Sequence, residues 1–437
     1  MTTKNSQLYV FTNNFLVAKL VKHTNGSLSF KYEKSWLNKE GARPISLSLP
    51  LLDKEYSGDV LYNFFDNLLP DNPRVRAKVQ AKFQAKTSHP FDLLAMIGKD
   101  CVGAIRLTDN NLDANLAKQI NYEFLKDKDI ASILRNHKDA PLGMLDKDDD
   151  FRISIAGVGE KTAFLRYKGR WCRPLSQTPT THIFKLPIGF IPQKDMDITD
   201  SCENEWLCSL IAKAYGLEVA NCNIEIFDGI KVLVIDRFDR RFSEDNSWLM
   251  RLPQEDLCQA LGYSPNLKYE ADGGPGIKDI MRLLHGANNS DLNKEMFFRS
   301  QVLFFMLAAI DGHAKNFSLF LKPYGGYEMT PLYDIISAYP LIDKKQLQKQ
   351  KIKMAMALHG NNKHYNWSNI SRRHFISTAK AVNFSCESAE NIIQDMLDNT
   401  DKVISEVNAK LPADFPKNIS ESIFNGILNA KKILLTK

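Results

Sequence analysis

The segment Ile310–Phe317, IDGHAKNF, places Asp311, His313, Lys315 and Asn316 directly behind QVLFFMLAA, one of the most apolar stretches of the chain. Polar and charged side chains at the end of a buried helix need partners or a task, because desolvating them otherwise costs free energy. Asp311 and Asn316 stand five residues apart. That Asp-x4-Asn spacing suits phosphoryl transfer, with the Asp holding the acceptor hydroxyl and the Asn reaching a metal ion. Taken alone, Asp311-Gly312 also reads as a turn that closes the helix at about Ala309. The following residues favour the chemical reading. FSLFLKPYGGYEMTPLYD forms a hairpin turning at Gly325-Gly326, and its return brings Asp334 beside Asn316 as a second oxygen ligand for a hard cation. His313 lacks a partner at metal-ligand spacing and reads as a structural hydrogen-bonding residue.

Phosphoryl transfer also needs a strand lysine on the nucleotide, a helix glutamate that orients it, and a cover for the phosphates. Lys185 stands in the strand THIFKLP, and Glu205 opens the helical run ENEWLCSLIAKAYGL, in which Trp206, Leu207, Leu210, Ile211 and Ala214 share one face and Gly216 caps the end. Gly157 and Gly159 in SIAGVGEKT lie between two strands, where backbone amides can approach a phosphate. GEKT is not the Gly-Lys-Thr ending of a P-loop, which argues against that NTPase class. An edge-strand lysine, a surface glutamate and an ordinary glycine hairpin are the plain readings of each feature by itself.

The elements that must position these residues follow from periodicity. ISLSLPL alternates as a half-buried strand, and YNFFDNLLP sets Phe64, Phe65, Leu68 and Leu69 at helical spacing before Pro70. Residues 1–110 are thus expected to form an α/β accessory subdomain. Residues 111–150, charged and ending in DKDDD, are expected to be an exposed connecting segment. Residues 151–240 read as a β-rich lobe with one helix, from FRISIAGVGEKTAFLRY through NIEIF to KVLVIDRF, which ends at Asp236-Arg237. Residues 241–437 read as a mainly helical lobe apart from the one hairpin. The fold class expected is α+β, with a ligand cleft between the two lobes. QEDLCQ reads as a helix start and DGGPG as a capping turn, neither with an assigned role.

Composition narrows the class. With 437 residues the chain can bury a large core without metal or disulfide staples. Its seven cysteines are dispersed, without a Cys-x-x-Cys pair, as expected of free thiols in a reducing cytosol. No signal-like N-terminus and no apolar run long enough to span a bilayer is visible, so a cytoplasmic protein without membrane contact is expected. The net charge of +6 resides in Leu341–Lys437, and Leu341–Lys380 holds nine basic residues against the single Asp343. Such a run suits either a solvated face or a polyanion surface, nucleic acid first.

With these residues in view, the chain resembles the HipA family of serine/threonine-protein kinase toxins from bacterial toxin–antitoxin operons. The likeness runs nearly end to end, through RPISLSLPL, NFFDNLLPD, PFDLLAMIGKDCVGAI, DFRISIAG, THIFKLPIG, RLPQEDLCQ, YEADGGPGI, DGHAKNFS and MTPLYDIIS. The resemblance implies a two-lobed protein-kinase-like fold with an extra N-terminal subdomain, and ATP and Mg2+ as cofactors. It implies Asp311 as catalytic base, with Asn316 and Asp334 holding the metal. Toward ATP it implies the loop Ala156, Gly157, Val158, Gly159, Glu160 and Lys161, then Lys185, the connector Asp236, Arg237 and Phe238, and His313, Lys315, Asn316, Tyr333 and Asp334. Ser154 falls at the family's autophosphorylation position, where modification ejects the loop and switches the kinase off. Arg372, Arg373 and Lys380 are the implied DNA contacts. The implied partners are a helix-turn-helix, HipB-like antitoxin, operator DNA bound jointly with it, and a protein substrate, glutamyl-tRNA synthetase in the best-known case. A catalytically silent corepressor scaffold on the same fold is the competing reading; intact Lys185, Asp311, Asn316 and Asp334 favour the enzyme.

Overall fold

Residues 6–109, 118–136, 142, 144, 153–156, 160–192 and 195–436 are described by the computed structural model. By their contacts they divide into two units. Unit 1 comprises the chain up to Leu186 with Glu225–Asn266 and Leu319–Tyr327, and unit 2 comprises Pro187–Ile224, Leu267–Ser318 and the chain from Glu328. The fold is α+β, and the units do not follow the order of the sequence: the helix Ser201–Ala214 groups with unit 2 although strands of unit 1 flank it in the chain.

Unit 1 holds the two largest sheets among the described residues. The first is antiparallel, in the order Glu55–Ser57, Leu28–Tyr32, Phe15–Lys22, Ser6–Thr12, Ile105–Thr108. Alternation puts Leu8, Val10, Leu20 and Phe30 into one core with Leu61, Phe64 and Phe65 of helix Asp59–Asp66 and Leu93, Leu94 and Ile97 of helix Pro90–Ile97. ISLSLPL is not a strand. Only an isolated bridge joins Ser46 to Leu49, because the Leu47 amide and the Ser46 hydroxyl donate to the Glu255 carboxyl, at 2.8 and 2.5 Å, and the Ser48 hydroxyl donates to the Gln259 carbonyl. Bonds to a segment distant in sequence here replace the ladder that alternation alone would suggest.

The second sheet has six strands, ordered Cys222–Phe227, Ile230–Asp236, His182–Lys185, Lys161–Tyr167, Arg170–Pro174, Tyr122–Phe124. The segment expected to be a bare connector supplies the last strand and a helix, Asp127–Arg135. Ile130, Ile133 and Leu134 of that helix pack on Phe164, Phe184, Val232 and Val234 of the sheet. Asp146–Asp150 lie outside the described residues. So does the start of the strand expected at FRISIAG, of which Ile153 makes an isolated parallel bridge to Asp100.

Unit 2 is mainly helical. Helix Ser290–Met306 is its centre: Phe297, Phe298, Val302, Leu303, Phe305 and Met306 are buried, and Trp367 stacks on Phe305 while donating its indole N–H to the Phe305 carbonyl at 2.9 Å. Helices Cys386–Asn408 and Lys417–Leu435 pack against it and against Ser201–Ala214. That last helix is buried almost all round, with Glu205, Leu207, Cys208 and Ile211 inside and Trp206, Leu210 and Ala214 only half-buried, so the expected apolar face is rotated from the observed one. A second hairpin, Lys353–His359 with Lys363–Asn366, was not visible in the sequence. Its MAMAL core is buried throughout, and helix-favouring residues stand in a strand because tertiary packing covers both faces.

Candidate functional site

The Asp311 loop is set by unit 2's central helix. That helix ends at Met306, three residues before the expected Ala309, and Ala308 adopts a left-handed φ of 47° to break it. Gly312 lies against Phe304: a Cβ there would come within 2.3 Å of the ring, so no other residue fits this turn unchanged. A single 3-10 turn, Ala314–Asn316, follows. The Ala314 amide donates to the Lys268 carbonyl at 3.2 Å, which fastens the loop to the neighbouring segment of the same unit.

Within this loop the expected residues do come together. The Asn316 side-chain N–H donates to the Asp311 backbone carbonyl at 2.8 Å, which fixes Asn316 and leaves its amide oxygen as an acceptor. Lys315 is buried, and its carbonyl accepts from the Tyr333 hydroxyl at 2.9 Å, while Ser318 and Tyr333 share a hydroxyl–hydroxyl bond of 2.6 Å. The Thr330 amide donates to the Ser318 carbonyl, so the return of the hairpin is tied to the Asp311 loop just before Asp334. Asp334 holds a left-handed φ of 62°, a conformation that a non-glycine residue keeps only where its surroundings impose it.

His313 is buried, with Nε2 4.0 Å from the Asp311 carboxylate and Nδ1 without a hydrogen-bond partner. Burial pushes its imidazole below the ordinary value; Asp311 and Asp334 pull the other way and Lys268 adds to the depression. Sequence reasoning missed Tyr269. Its hydroxyl donates to the Asp311 carboxylate, and its ring meets His313 edge-on at 4.9 Å. The only signal was its place in YEADGGPGI, 42 residues away from Asp311 in sequence.

Unit 1 carries the other expected residues. Lys185 ends strand His182–Lys185, with Lys161 and Leu233 as its cross-strand neighbours, so two lysines project from one face. The Lys161 ammonium donates to the Ala156 carbonyl, and the Glu160 carbonyl accepts from the Leu186 amide at 3.2 Å. Gly157, Val158 and Gly159 lie outside the described residues. Ser154 is fully buried: its hydroxyl donates to the Leu68 carbonyl at 2.7 Å and its amide to the Asp100 carbonyl at 3.0 Å. Arg152, which alternation places on its face, lies outside the described residues.

In the connector, the Asp236 carboxylate lies 3.0 Å from His182 Nε2, and Phe238 meets Phe320 edge-on. The Arg237 side chain is buried between Asp100, at 3.2 Å, and Asp239, at 2.9 Å. Its guanidinium is thereby committed inside the unit. Glu205 is buried in unit 2. On helix Arg372–Ala381, Arg373 and Lys380 are exposed two turns apart on one face, but Arg372 is half-buried and paired with Glu390 at 2.5 Å. Lys363 and Lys344 are paired as well, with Glu270 and with Asp197.

The oxygen donors of Asn316 and Asp334 suit magnesium, which takes one or two protein ligands and completes its shell with water and phosphate. Among the described residues no group of three His, Cys, Asp or Glu could hold a metal by itself.

Family models match the chain in two segments: the HipA N-terminal domain over residues 8–108, and the HipA-like C-terminal domain over residues 153–404. The chain belongs to the HipA family. Among HipA relatives, Y4mE of Sinorhizobium fredii, named as a candidate kinase, is 30% identical over 78% of this chain and 80% of its own length. The serine/threonine-protein kinase toxin HipA of Shewanella oneidensis is 28% identical over 81% of this chain and 79% of its own. A chain from the solved complex of HipA, HipB and operator DNA of Shewanella oneidensis MR-1 shares the fold, with a TM-score of 0.82 at 21% identity over 98% of this chain and 97% of that one. Among the described residues no helix is long and apolar enough to cross a membrane, and all seven cysteines are free thiols.

Proposed function

We propose that this chain is an ATP- and Mg2+-dependent serine/threonine-protein kinase, the toxin half of a toxin–antitoxin pair. The observation that carries the reading is the Asp311 loop. Asn316 is locked to the Asp311 backbone, the Asp311 side chain is 61% exposed and so open to an acceptor hydroxyl, and Tyr333 ties the Asp334 segment to Lys315. In this reading Asp311 accepts the proton of the acceptor hydroxyl as that oxygen attacks the γ-phosphorus, and the terminal P–O bond breaks with ADP as leaving group. Asn316 and Asp334 would hold Mg2+, which would supply positive charge against that of the phosphates. Lys185, the segment from Ala156 to Lys161 and the connector Asp236–Phe238 are the further proposed nucleotide contacts.

Ser154 is the proposed self-modification site. Its hydroxyl faces a carbonyl acceptor in a dry environment. A phosphate of roughly −1.5 to −2 charge would find repulsion there instead of a donor, so the modified segment leaves its seat and the loop goes with it. A HipB-like antitoxin and operator DNA are the proposed partners, with Arg373 and Lys380 rather than Arg372 as the free cations toward DNA. A translation-related protein, glutamyl-tRNA synthetase first, is the substrate to try. Incubation of the purified chain with labelled ATP and Mg2+ tests the activity: transfer to serine or threonine that disappears in Asp311→Ala supports it, and equal transfer in both overturns it.

A further inference from the structure

Asp100 lies in the turn between helix Pro90–Ile97 and strand Ile105–Thr108, far in sequence from every residue assigned above, yet its carboxylate accepts five hydrogen bonds. Oδ1 accepts from Arg240 at 2.9 Å and from Arg251 at 3.2 Å. Oδ2 accepts from the Thr180 amide at 3.0 Å, the Thr180 hydroxyl at 2.8 Å and Arg237 at 3.2 Å. The same turn gives the Cys101 carbonyl to both Arg237 and Arg240, and the Gly103 amide to Asp239 at 2.7 Å. Gly103 is required there, since φ is +72° and a Cβ would meet the Gln254 carbonyl at 2.5 Å. The backbone carbonyl of Asp100 holds the Ser154 amide.

These bonds reach three segments at once. Thr180 leads into the strand that carries Lys185; Arg237 stands between Asp236 and Phe238; Ser154 precedes the loop at Ala156. From this we infer that Asp100 is a positioning residue for the nucleotide: the accessory part of unit 1 sets the register of the lysine strand, the connector and the loop root through one buried carboxylate. The inference rests on the kinase reading for its function and on the geometry of unit 1 alone for its mechanism. Asp100 touches no reacting atom. Its charge matters because the buried Arg237, Arg240 and Arg251 all ion-pair with it, and Arg237 and Arg240 also pair with Asp239. Burial alone would raise the Asp100 carboxyl, but Arg240, Arg237 and Arg251 together hold it well below the ordinary carboxylate range.

Two variants of the full chain test this. Asp100→Asn keeps the shape and removes the charge. Thr180→Val, the milder change, removes one hydroxyl donor to Asp100 and the acceptor that Arg237 uses at 2.9 Å. Hydrogen exchange of the nucleotide-free proteins is compared over residues 153–156, 182–185 and 236–240, and Mg-ATP affinity by calorimetry. Expected is faster exchange in all three segments, unchanged exchange in the strands Ser6–Thr12 and Phe15–Lys22, and Mg-ATP binding about tenfold weaker in Thr180→Val and weaker still in Asp100→Asn, with kcat at saturating ATP retained. Should Asp100→Asn fail to fold, Thr180→Val decides. Folded variants with wild-type exchange in the three segments and wild-type affinity overturn the inference, as does a fall in kcat with affinity unchanged. A wild-type chain that binds no ATP overturns the kinase reading instead, while the exchange comparison still decides whether Asp100 anchors the three segments.

Discussion

Replacing Glu255 by Gln should flatten the dependence of stability on pH between 6 and 8. Glu255 is fully buried, with Ser46 and the Leu47 amide donating to it, and burial pushes its carboxyl from 4.5 up to about 8, against those two hydrogen bonds and with Asp256 adding to the rise. Between those two values the folded chain holds a proton that the unfolded chain has released. Unfolding therefore releases a proton, and stability falls as pH rises, at up to about 1.36 kcal/mol per pH unit. From pH 6 to pH 8 the loss is about 2–3 kcal/mol, a sizeable part of the roughly 5–15 kcal/mol that holds an ordinary domain folded. Gln keeps an acceptor for the Leu47 amide and offers an N–H to the Ser46 oxygen, whose own proton turns to the Gln259 carbonyl, but it cannot ionise. Urea unfolding of both proteins at pH 6, 7 and 8 isolates the effect, since every other titrating group is common to them. The wild-type midpoint should fall relative to that of Glu255→Gln as pH rises. Parallel curves for the two proteins would show that Glu255 is ionised in the folded chain at pH 6, and would refute the reasoning.

Asn316→Ala or Asp334→Ala should weaken binding of ATP with Mg2+ by about tenfold or more and leave metal-free binding nearly unchanged, as calorimetry with and without magnesium would show. Tyr269→Phe removes one hydrogen bond to a charged group, worth about 1.5–3 kcal/mol, and should lower kcat by about tenfold with the KM for ATP retained; an unchanged kcat would make the phenol incidental to Asp311. Arg373→Ala with Lys380→Ala should reduce the salt slope of binding to the antitoxin–operator complex by about two. Arg372→Ala should lower stability rather than that slope, because it breaks the bond to Glu390.

Much of this was legible because the informative residues are local. Asp311, Asn316 and the hairpin that returns to Asp334 lie within 24 positions, and both the buried helix before them and the Lys185 strand are set by short-range periodicity. What was not legible depends on partners distant in the chain. The sequence cannot show that Ser46 meets Glu255, 209 residues away, and so turns an alternating segment into a turn. Nor does it show that Glu270 accepts from the Ala357 amide and pairs with Lys363, contacts that settle a methionine-rich segment as a hairpin. Arg237 was legible as part of the connector, but not the direction of its side chain, which depends on Asp100, 137 residues away. In the 111–150 segment, the charges around Ile130, Ile133 and Leu134 concealed an amphipathic helix.

If the Asp311 loop transfers phosphate from ATP to serine or threonine, Ser154 of a second copy is the acceptor when no other protein is present. Mass spectrometry of the purified wild-type and Asp311→Ala chains after incubation with ATP, with and without magnesium, tests it most directly. The expected result is a magnesium-dependent phosphoryl group on Ser154 in the wild type, and a rate lower by about 10² to 10⁴ in Asp311→Ala. A wild-type chain that incorporates no phosphate, a label that maps to another residue, or an Asp311→Ala chain labelled at the wild-type rate would contradict it.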